Sequence, residues 1–512
     1  MSANKTPPTA SDTVRIAIVG GSVTAAAAME SILDKFNQQR PSRPTEIHIF
    51  DPRGRFAAGD AFGTTSESAK LNTDPDKMGP LNNPRDFPRS RPDEVPAQPG
   101  TPMERRSFGE YTRARMDKVI RLLAELGVTV RFFAEEITVV HLQRADNTSG
   151  YVLESIHGRH HADVVVIATG RVSSSGPPEI AGRASCIANP WAPGALDAIA
   201  RGNRVLVLGT SLTTVDIVGR LDANGHQGSI TAIARTRGLP TVQNLGNPYS
   251  PSVFTHPMVQ ALSAYGTRRL TMDDVLGSLR AELRRAGVAD TDEGVDAEIR
   301  EQIDLARSNP HAALLKNIAE AEAGRAVVSA VIGALNDATR FAWPLVSDED
   351  ALRLLRYKSL YSMFANAMPL ANARMMERVM AKGLLRVHVG LTAVTHNAAA
   401  GHYIATTTHP HGHTLHHEAD TVIVATGNTR RLADAGPLIR QMRADGIIRE
   451  HPRGGVDITP AGRVIHADGT PASGLWWIGE ATEGARLGTN CVRVIKHHSR
   501  ATIEDLTGQI YA

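Results

Sequence analysis

VRIAIVGGSVTAAAAMESILDKFNQQRPSRPTEIHIFD, residues 14–51, decides how the rest of the chain is read. Val14, Ile16, Ile18 and Val19 form the β-branched run of a buried parallel strand. The run stops at Gly20-Gly21-Ser22, where an alanine-rich helix starts. A second apolar run, Ile47 to Phe50, ends on Asp51. Strand, glycine turn, helix, strand and acid make up a dinucleotide-binding βαβ unit. The turn must be small so that the backbone of Gly20, Gly21, Ser22, Val23 and Thr24 can approach a pyrophosphate at the helix N-terminus. Asp51 would accept a hydrogen bond from an adenosine ribose hydroxyl. Gly20 holds the first glycine position, while Ser22 and Ala25 stand where the second and third glycines are usual.

The pattern recurs at residues 203–240, NRVLVLGTSLTTVDIVGRLDANGHQGSITAIARTRGLP. Here the strand is Val205 to Leu208, the turn Gly209-Thr210-Ser211, and the helix runs from Leu212. The next strand, Ile230 to Ala234, ends on Arg235-Thr236-Arg237 instead of an acid. A guanidinium grips phosphate oxygens in a bidentate way where a carboxylate repels them, so Arg235 and Arg237 point to the 2′-phosphate of NADP.

A second repeat frames this unit. YVLESIHGRHHADVVVIATG, residues 151–170, reads as a hairpin feeding a buried strand that ends at Thr169-Gly170. HYIATTTHPHGHTLHHEADTVIVATG, residues 402–427, repeats it and ends at Thr426-Gly427. Small residues at such strand ends let the backbone pass close to a cofactor. The chain is expected to leave the first nucleotide domain after one copy and to re-enter it after the other. His409, His411, His413, His416 and His417 invite a metal reading. Alternation puts some of them on opposite faces, and no Cys or clustered carboxylate accompanies them, so no metal site is expected.

Between these landmarks the composition changes. Residues 52–87 are rich in Gly, Pro, Asn and Asp. A loop of that length is either functional, with Gly59, Asn72, Asp74 and Met78 placed to fold over a cofactor, or a surface excursion. Phe108 to Leu126 has helical spacing, and VTVRFFA follows as a strand. From Met272 to Lys382 the chain turns helical, a place for substrate selectivity. Its methionines (Met363, Met368, Met375, Met376, Met380) read as core packing. Near the C-terminus, GLWWIGEATEGARLGTN puts Gly479 and Glu480 at a strand end and a helix start near Asn490. Glu480 would accept a ribityl or ribose hydroxyl, and the helix N-terminus would face the flavin edge.

The bulk numbers narrow the class. The 512 residues favour two or three domains, and 42% hydrophobic with 21% charged residues describe an ordinary globular protein. Lys and Arg total 56 against 53 Asp and Glu, which gives no nucleic-acid signal. Cys186 and Cys491 form no CxxC, so a redox-disulfide mechanism is not expected. No apolar run is long enough to span a bilayer. The polar, proline-bearing residues 1–12 read as a disordered lead to a cytoplasmic protein.

Taken together, Gly20-Gly21-Ser22, GDAFGTTSESAKLNTDPDKM, ANPWAP, GTSLTTVD, IARTRGLP, NAMPLAN and WWIGEATEG resemble the FAD/NAD(P)-binding flavoproteins. The chain is similar, more distantly, to bacterial flavin-dependent N-monooxygenases. The FxGxxxHxxx(Y/F) fingerprint of flavin monooxygenases does not stand between Gly170 and Gly209, where ASCIANPWAPGAL is found. The resemblance implies an α/β fold with two Rossmann-like domains, bound FAD and a nicotinamide partner, which Arg235 and Arg237 make NADPH. The FAD domain is expected to be discontinuous, over 13–199 and 395–512. The NAD(P) domain would start over 200–258, with a helical region and the return of that domain over 259–394. Asn72 and Asn490 are candidate polar groups near the flavin; no catalytic acid or base is singled out. The first expectation is an NADPH-using monooxygenase acting with oxygen on a small molecule, plausibly at an amine nitrogen. The alternatives are a reductase without oxygen insertion and a non-catalytic nucleotide-sensing protein.

Overall fold

A computed structural model describes residues 13–64, 67–95, 101–145, 148–170, 176–246, 248–408, 412–427 and 430–511. The expected lead over 1–12, and His409 and His411, lie outside them. The strands run β1 (Val14–Val19), β2 (Thr45–Phe50), β3 (Val128–Phe133), β4 (Val139–Ala145), β5 (Thr148–Ser155), β6 (Gly158–Ala162), β7 (Val164–Ile167) and β8 (Cys186–Ile187). They continue with β9 (Val205–Leu208), β10 (Ile230–Ala234), β11 (Leu385–Val389), β12 (Leu391–Asn397), β13 (His402–Thr408), β14 (Thr414–Ala419), β15 (Thr421–Val424), β16 (Arg463–Ile465) and β17 (Pro471–Trp477).

Two sheets organise the molecule. The first has the order β16-β17-β7-β1-β2-β3 and is parallel except for β16. The second, β11-β10-β9-β15-β8, is parallel throughout. Hydrophobic strands buried on both faces explain why β7 and β9 read as unbroken apolar runs, and why β1 and β15 are interrupted only by Arg15 and Thr421. Alternation sorts the side chains. Ile16 and Ile18 join a core with Ala25–Met29 of the Val23–Gln38 helix, while Ala17 and Val19 face a second core with Tyr151 and Leu438. Trp476 and Trp477 are both 0% exposed and point one to each of these cores.

Each sheet carries a three-stranded antiparallel appendage, β4-β5-β6 beside the first and β12-β13-β14 beside the second. These are the two repeated hairpins, each extended by one strand. Their positions correct the expected domain bounds. The expected FAD segment from 395 contains β12 to β15, but β15 pairs with β9, in the second sheet. β8, expected before residue 199 in the first domain, pairs with β15 as well. Strand membership therefore puts the crossings in the stretches after Gly170 and after Gly427, where the repeat placed them, and not at 199 and 395.

The helical region begins at His256–Leu262, earlier than Met272, and ends with Leu370–Ala381. It is attached on two sides. Leu314, Ile318 and Met376 pack into the core under the second sheet. On the other side Arg453, 6% exposed, donates to the carbonyls of Trp343 and Val346 at 2.6 Å each and pairs with Asp348 at 2.8 Å. Trp343 Nε1 in turn donates to Gly484 O at 2.9 Å. Met363, Met368 and Met376 are buried in cores, and Met375 and Met380 pack against one. No helix among the described residues is long and apolar enough to cross a membrane.

Candidate functional site

In each sheet the strand order reverses direction beside the first strand of the βαβ unit. β1 lies between β2 and β7, and β9 between β10 and β15. Ligands of open α/β sheets bind outside the carboxyl ends of strands at such a switch point. The turns Gly20–Ser22 and Gly209–Ser211 stand at those ends.

The two turns are built alike. Gly20 has φ +112° and Gly209 φ +132°. Gly20 N–H donates to Phe50 O at 2.9 Å, and Gly209 N–H to Ile233 O at 2.7 Å. A Cβ on Gly20 would lie 2.2 Å from Ala168 O, and one on Gly209 would lie 2.4 Å from Ala425 O. Ala168 and Ala425 are the alanines of the two ATG strand ends. The first glycine of each turn is thus pressed against its own ATG carbonyl, which ties Thr169-Gly170 to the first site and Gly427 to the second. Ser22 and Ser211 occupy the N-cap positions without spending their side chains on the cap. The leading N–H groups of both helices are therefore left for an anion.

The first site gathers several residues singled out from sequence. Gly21 abuts Asp51 and Phe56, since a Cβ there would lie 2.7 Å from Asp51 Cβ. Gly59, at φ +58°, brings the long loop against Ser22. Gly170 lies with Ser22 Oγ 4.0 Å from its ideal Cβ. Asp51 is buried, and its Oδ1 accepts from the N–H groups of Arg53 at 3.0 Å and Arg55 at 3.2 Å. One oxygen of the expected ribose acceptor is therefore spent on starting the loop. Ile478 N–H donates to Ile167 O at 2.9 Å, so Gly479 and Glu480 emerge beside Ala168 and Thr169.

Asn72 carries the most telling polar atom. Its Oδ1 is buried with no hydrogen-bond partner among the described residues, while its carbonyl accepts from Gln243 Nε2 at 3.0 Å. An unsatisfied buried acceptor costs about 1–3 kcal/mol, which a ligand donor would recover. Met78 is different. Its side chain is 2% exposed among Leu71, Phe87 and Val492, and its carbonyl accepts from the buried Lys496 at 3.2 Å. The structure brings it to the floor under the Val23 turn as packing. Asn490 is exposed, two residues before the Val492–Ile510 helix.

At the second site the two arginines separate. Arg235 is exposed at the end of β10. Arg237 is 7% exposed, its Nη1 has no partner among the described residues, and burial pushes its pKa down to about 10. It sits on the turn itself, because the buried Thr210 hydroxyl is shared between the Arg237 and Gly238 carbonyls at 3.1 and 2.9 Å. A buried guanidinium without a counter-charge is costly unless an anion joins it. The glycine cradles, the orphaned Asn72 oxygen and the orphaned Arg237 nitrogen all fit adenine dinucleotides. Among the described residues no three His, Cys, Asp or Glu side chains gather to hold a metal.

Residues 17–172 match the FAD-NAD(P)-binding family. No curated protein matches by sequence. Among solved structures the fold is similar to an ornithine N-hydroxylase of Kutzneria sp. 744, at 13% identity and TM-score 0.56 over 97% of this chain and 99% of that one. That structure holds reduced FAD, NADP+ and L-ornithine. The ornithine hydroxylase of Pseudomonas aeruginosa and the L-lysine 6-monooxygenase of Pseudomonas syringae match at 12% identity, TM-score 0.56 and the same coverage. The chain therefore has the two-domain fold of these flavoenzymes from end to end. Sequence reading missed Gln243, whose amide spans Asn72 O and Ala367 O at 3.0 and 3.1 Å. No local pattern marks it.

Proposed function

We propose that this chain is an FAD-dependent, NADPH-using monooxygenase that oxidises a small molecule, with an amine nitrogen as the atom attacked. One observation carries the reading. Two glycine turns of the same construction, Gly20 on Ala168 and Gly209 on Ala425, stand at the switch points of two parallel sheets. A chain that needs one nucleotide does not need two such cradles. The relatives in fold that hydroxylate ornithine or lysine point to oxygen insertion at an amine.

In this reading the Gly20–Thr24 turn and the N-terminus of the Val23–Gln38 helix hold the FAD pyrophosphate, and Asp51 Oδ2 meets the ribose. Thr169, Gly170, Gly479 and Glu480 border the flavin, with Asn72 Oδ1 accepting from it or from substrate. The Gly209–Ser211 turn, Arg235 and Arg237 hold NADPH, and Gly427 closes that cradle. The chemistry supplied by bound FAD would be hydride acceptance from the nicotinamide and electron delivery to oxygen. The chain's part is to orient the two rings and keep water out, and no side chain need act as acid or base.

A yellow purified protein, bleached by NADPH faster than by NADH, with oxygen uptake stimulated by an amine and a hydroxylated product by mass spectrometry, is the expected result. The missing FxGxxxHxxx(Y/F) fingerprint favours a second reading, a reductase without oxygen insertion. That reading wins if NADPH is consumed anaerobically with an acceptor and no oxygenated product forms. Colourless protein that takes up no flavin sinks both.

A further inference from the structure

We infer that the ion pair between Arg105 and Asp216 is a positioning latch, which seats the second nucleotide domain on the loop that carries Asn72. The inference rests on the two-cofactor reading above. Arg105 opens the Arg105–Glu125 helix of the first domain. Asp216 lies on the Leu212–Ala223 helix that follows the Gly209 turn. Arg105 Nη2 donates to Asp216 Oδ2 at 2.7 Å, with side chains only 11% and 6% exposed. The guanidinium also lies over the Trp191 ring, 5.0 Å from its centroid.

The same guanidinium holds the loop. Arg105 Nε donates to Lys70 O at 2.8 Å, and Arg105 N–H to Ala69 O at 2.9 Å. Leu71 N–H donates to Met103 O at 2.9 Å. Residues 69–71 are thus clamped immediately before Asn72. A second tie arrives from the other side, where Gln243 Nε2 donates to Asn72 O. One planar guanidinium therefore grips the loop with one nitrogen and the Gly209 helix with another, and only Arg offers that fork.

A stabilising role does not explain the pair. Burial pushes the Asp216 carboxyl up to about 6 despite the pull of Arg105, so desolvation outweighs the attraction. Buried ion pairs of this kind are poor sources of stability, and geometric specificity is what they supply in the attested cases. Here the geometry fixed is that between the nicotinamide cradle and the Asn72 loop, on which hydride transfer would depend.

The test is anaerobic stopped-flow reduction of the flavin-loaded full chain by NADPH, with Asp216→Asn, Arg105→Lys and Gln243→Ala. Dithionite reduction and flavin absorbance serve as controls. Asp216→Asn and Arg105→Lys are expected to keep flavin and dithionite reduction. Their limiting rate at saturating NADPH should fall at least tenfold, with the Kd for NADPH changed less than threefold. Gln243→Ala should show a smaller fall. A merely structural pair would lower Tm and leave the limiting rate unmoved, and that result overturns the latch. So does a loss confined to NADPH affinity, or loss of flavin in both ion-pair variants, which would make the pair part of the flavin domain's own fold. Colourless wild-type chain, by contrast, overturns the two-cofactor reading itself.

Discussion

Gly20→Ala is the sharpest perturbation of the first cradle. At φ +112° the added Cβ would sit 2.2 Å from Ala168 O, 2.5 Å from Ala168 C and 2.8 Å from Thr169 N. All three are backbone atoms at the end of β7, a central strand of the first sheet, and cannot swing aside. The backbone conformation alone costs an L-residue about 1–2 kcal/mol. Forcing an extra carbon into a packed site costs about 1–3 kcal/mol more. The sum, about 2–5 kcal/mol, is a large part of the roughly 5–15 kcal/mol that holds a domain together. If only the lower figure falls on the flavin-bound form, flavin retention weakens roughly thirtyfold, at about 1.4 kcal/mol per decade. Gly209→Ala meets Ala425 O at 2.4 Å and should damage nicotinamide binding in the same way while leaving the colour. Gly427→Ala is the control, because at φ +88° its Cβ would meet nothing within 4 Å and only the backbone term applies. The assay is flavin-to-protein absorbance after gel filtration, with Kd by flavin fluorescence and Tm for each variant. Wild-type flavin content and affinity in Gly20→Ala would refute the placement of the pyrophosphate.

Four further outcomes concern charged and titratable groups. Arg237→Met removes a buried unpaired cation, so Tm without nucleotide should hold or rise while the Kd for NADPH increases about tenfold; a Tm fall of several degrees would refute the orphaned-charge argument. Arg235→Ala should weaken NADPH use and spare NADH, read as KM for each; equal loss of both would count against the 2′-phosphate role. Asp216 has its pKa raised to about 6 from 3.8 by burial, so its favourable contribution is complete below about pH 4 and is lost as pH rises through 6. Tm measured between pH 4 and 7 should show this slope in wild type and a flatter one in Asp216→Asn. His498 runs the other way. Burial, with the nearby Arg486, lowers it to about 3, so its contribution is present above pH 6.5 and is lost as pH falls toward 3. His498→Gln should blunt acid unfolding over that window, as read by circular dichroism.

Both nucleotide units could be read from the chain because their signals are local. β-branched runs, a glycine forced to positive φ and an alanine-rich helix all fall within about forty residues of one another. The loop that carries Gly59 and Asn72 stood out for a similar reason, since a long polar excursion inside a compact protein calls for a purpose. What could not be read was pairing across distance. The repeated ATG strands do place the crossings after Gly170 and after Gly427; the bounds at 199 and 395 depart from that reading, and β8 and β15 pair within the second sheet. Met78 carries a plainer signal: an apolar residue in a polar loop marks burial, and its side chain packs with Phe87 and Val492. Asp216 did carry a hint. A charged residue inside the apolar stretch TVDIV falls on the buried face of its helix and demands a partner. The identity of that partner, 111 positions upstream, had no local trace.

The placement of β17 and the last helix bears on how the protein is made. β17 pairs with β7 near the centre of the first sheet, and Ile495, Ile503 and Leu506 complete the core around Ala25–Met29. The nucleotide unit translated first therefore stays open on one side until Leu506 has emerged from the ribosome. The second sheet has all five of its strands once Val424 has emerged. Maturation should run in the reverse of reading order, with the earliest hydrophobic strands exposed longest and most dependent on chaperones during synthesis.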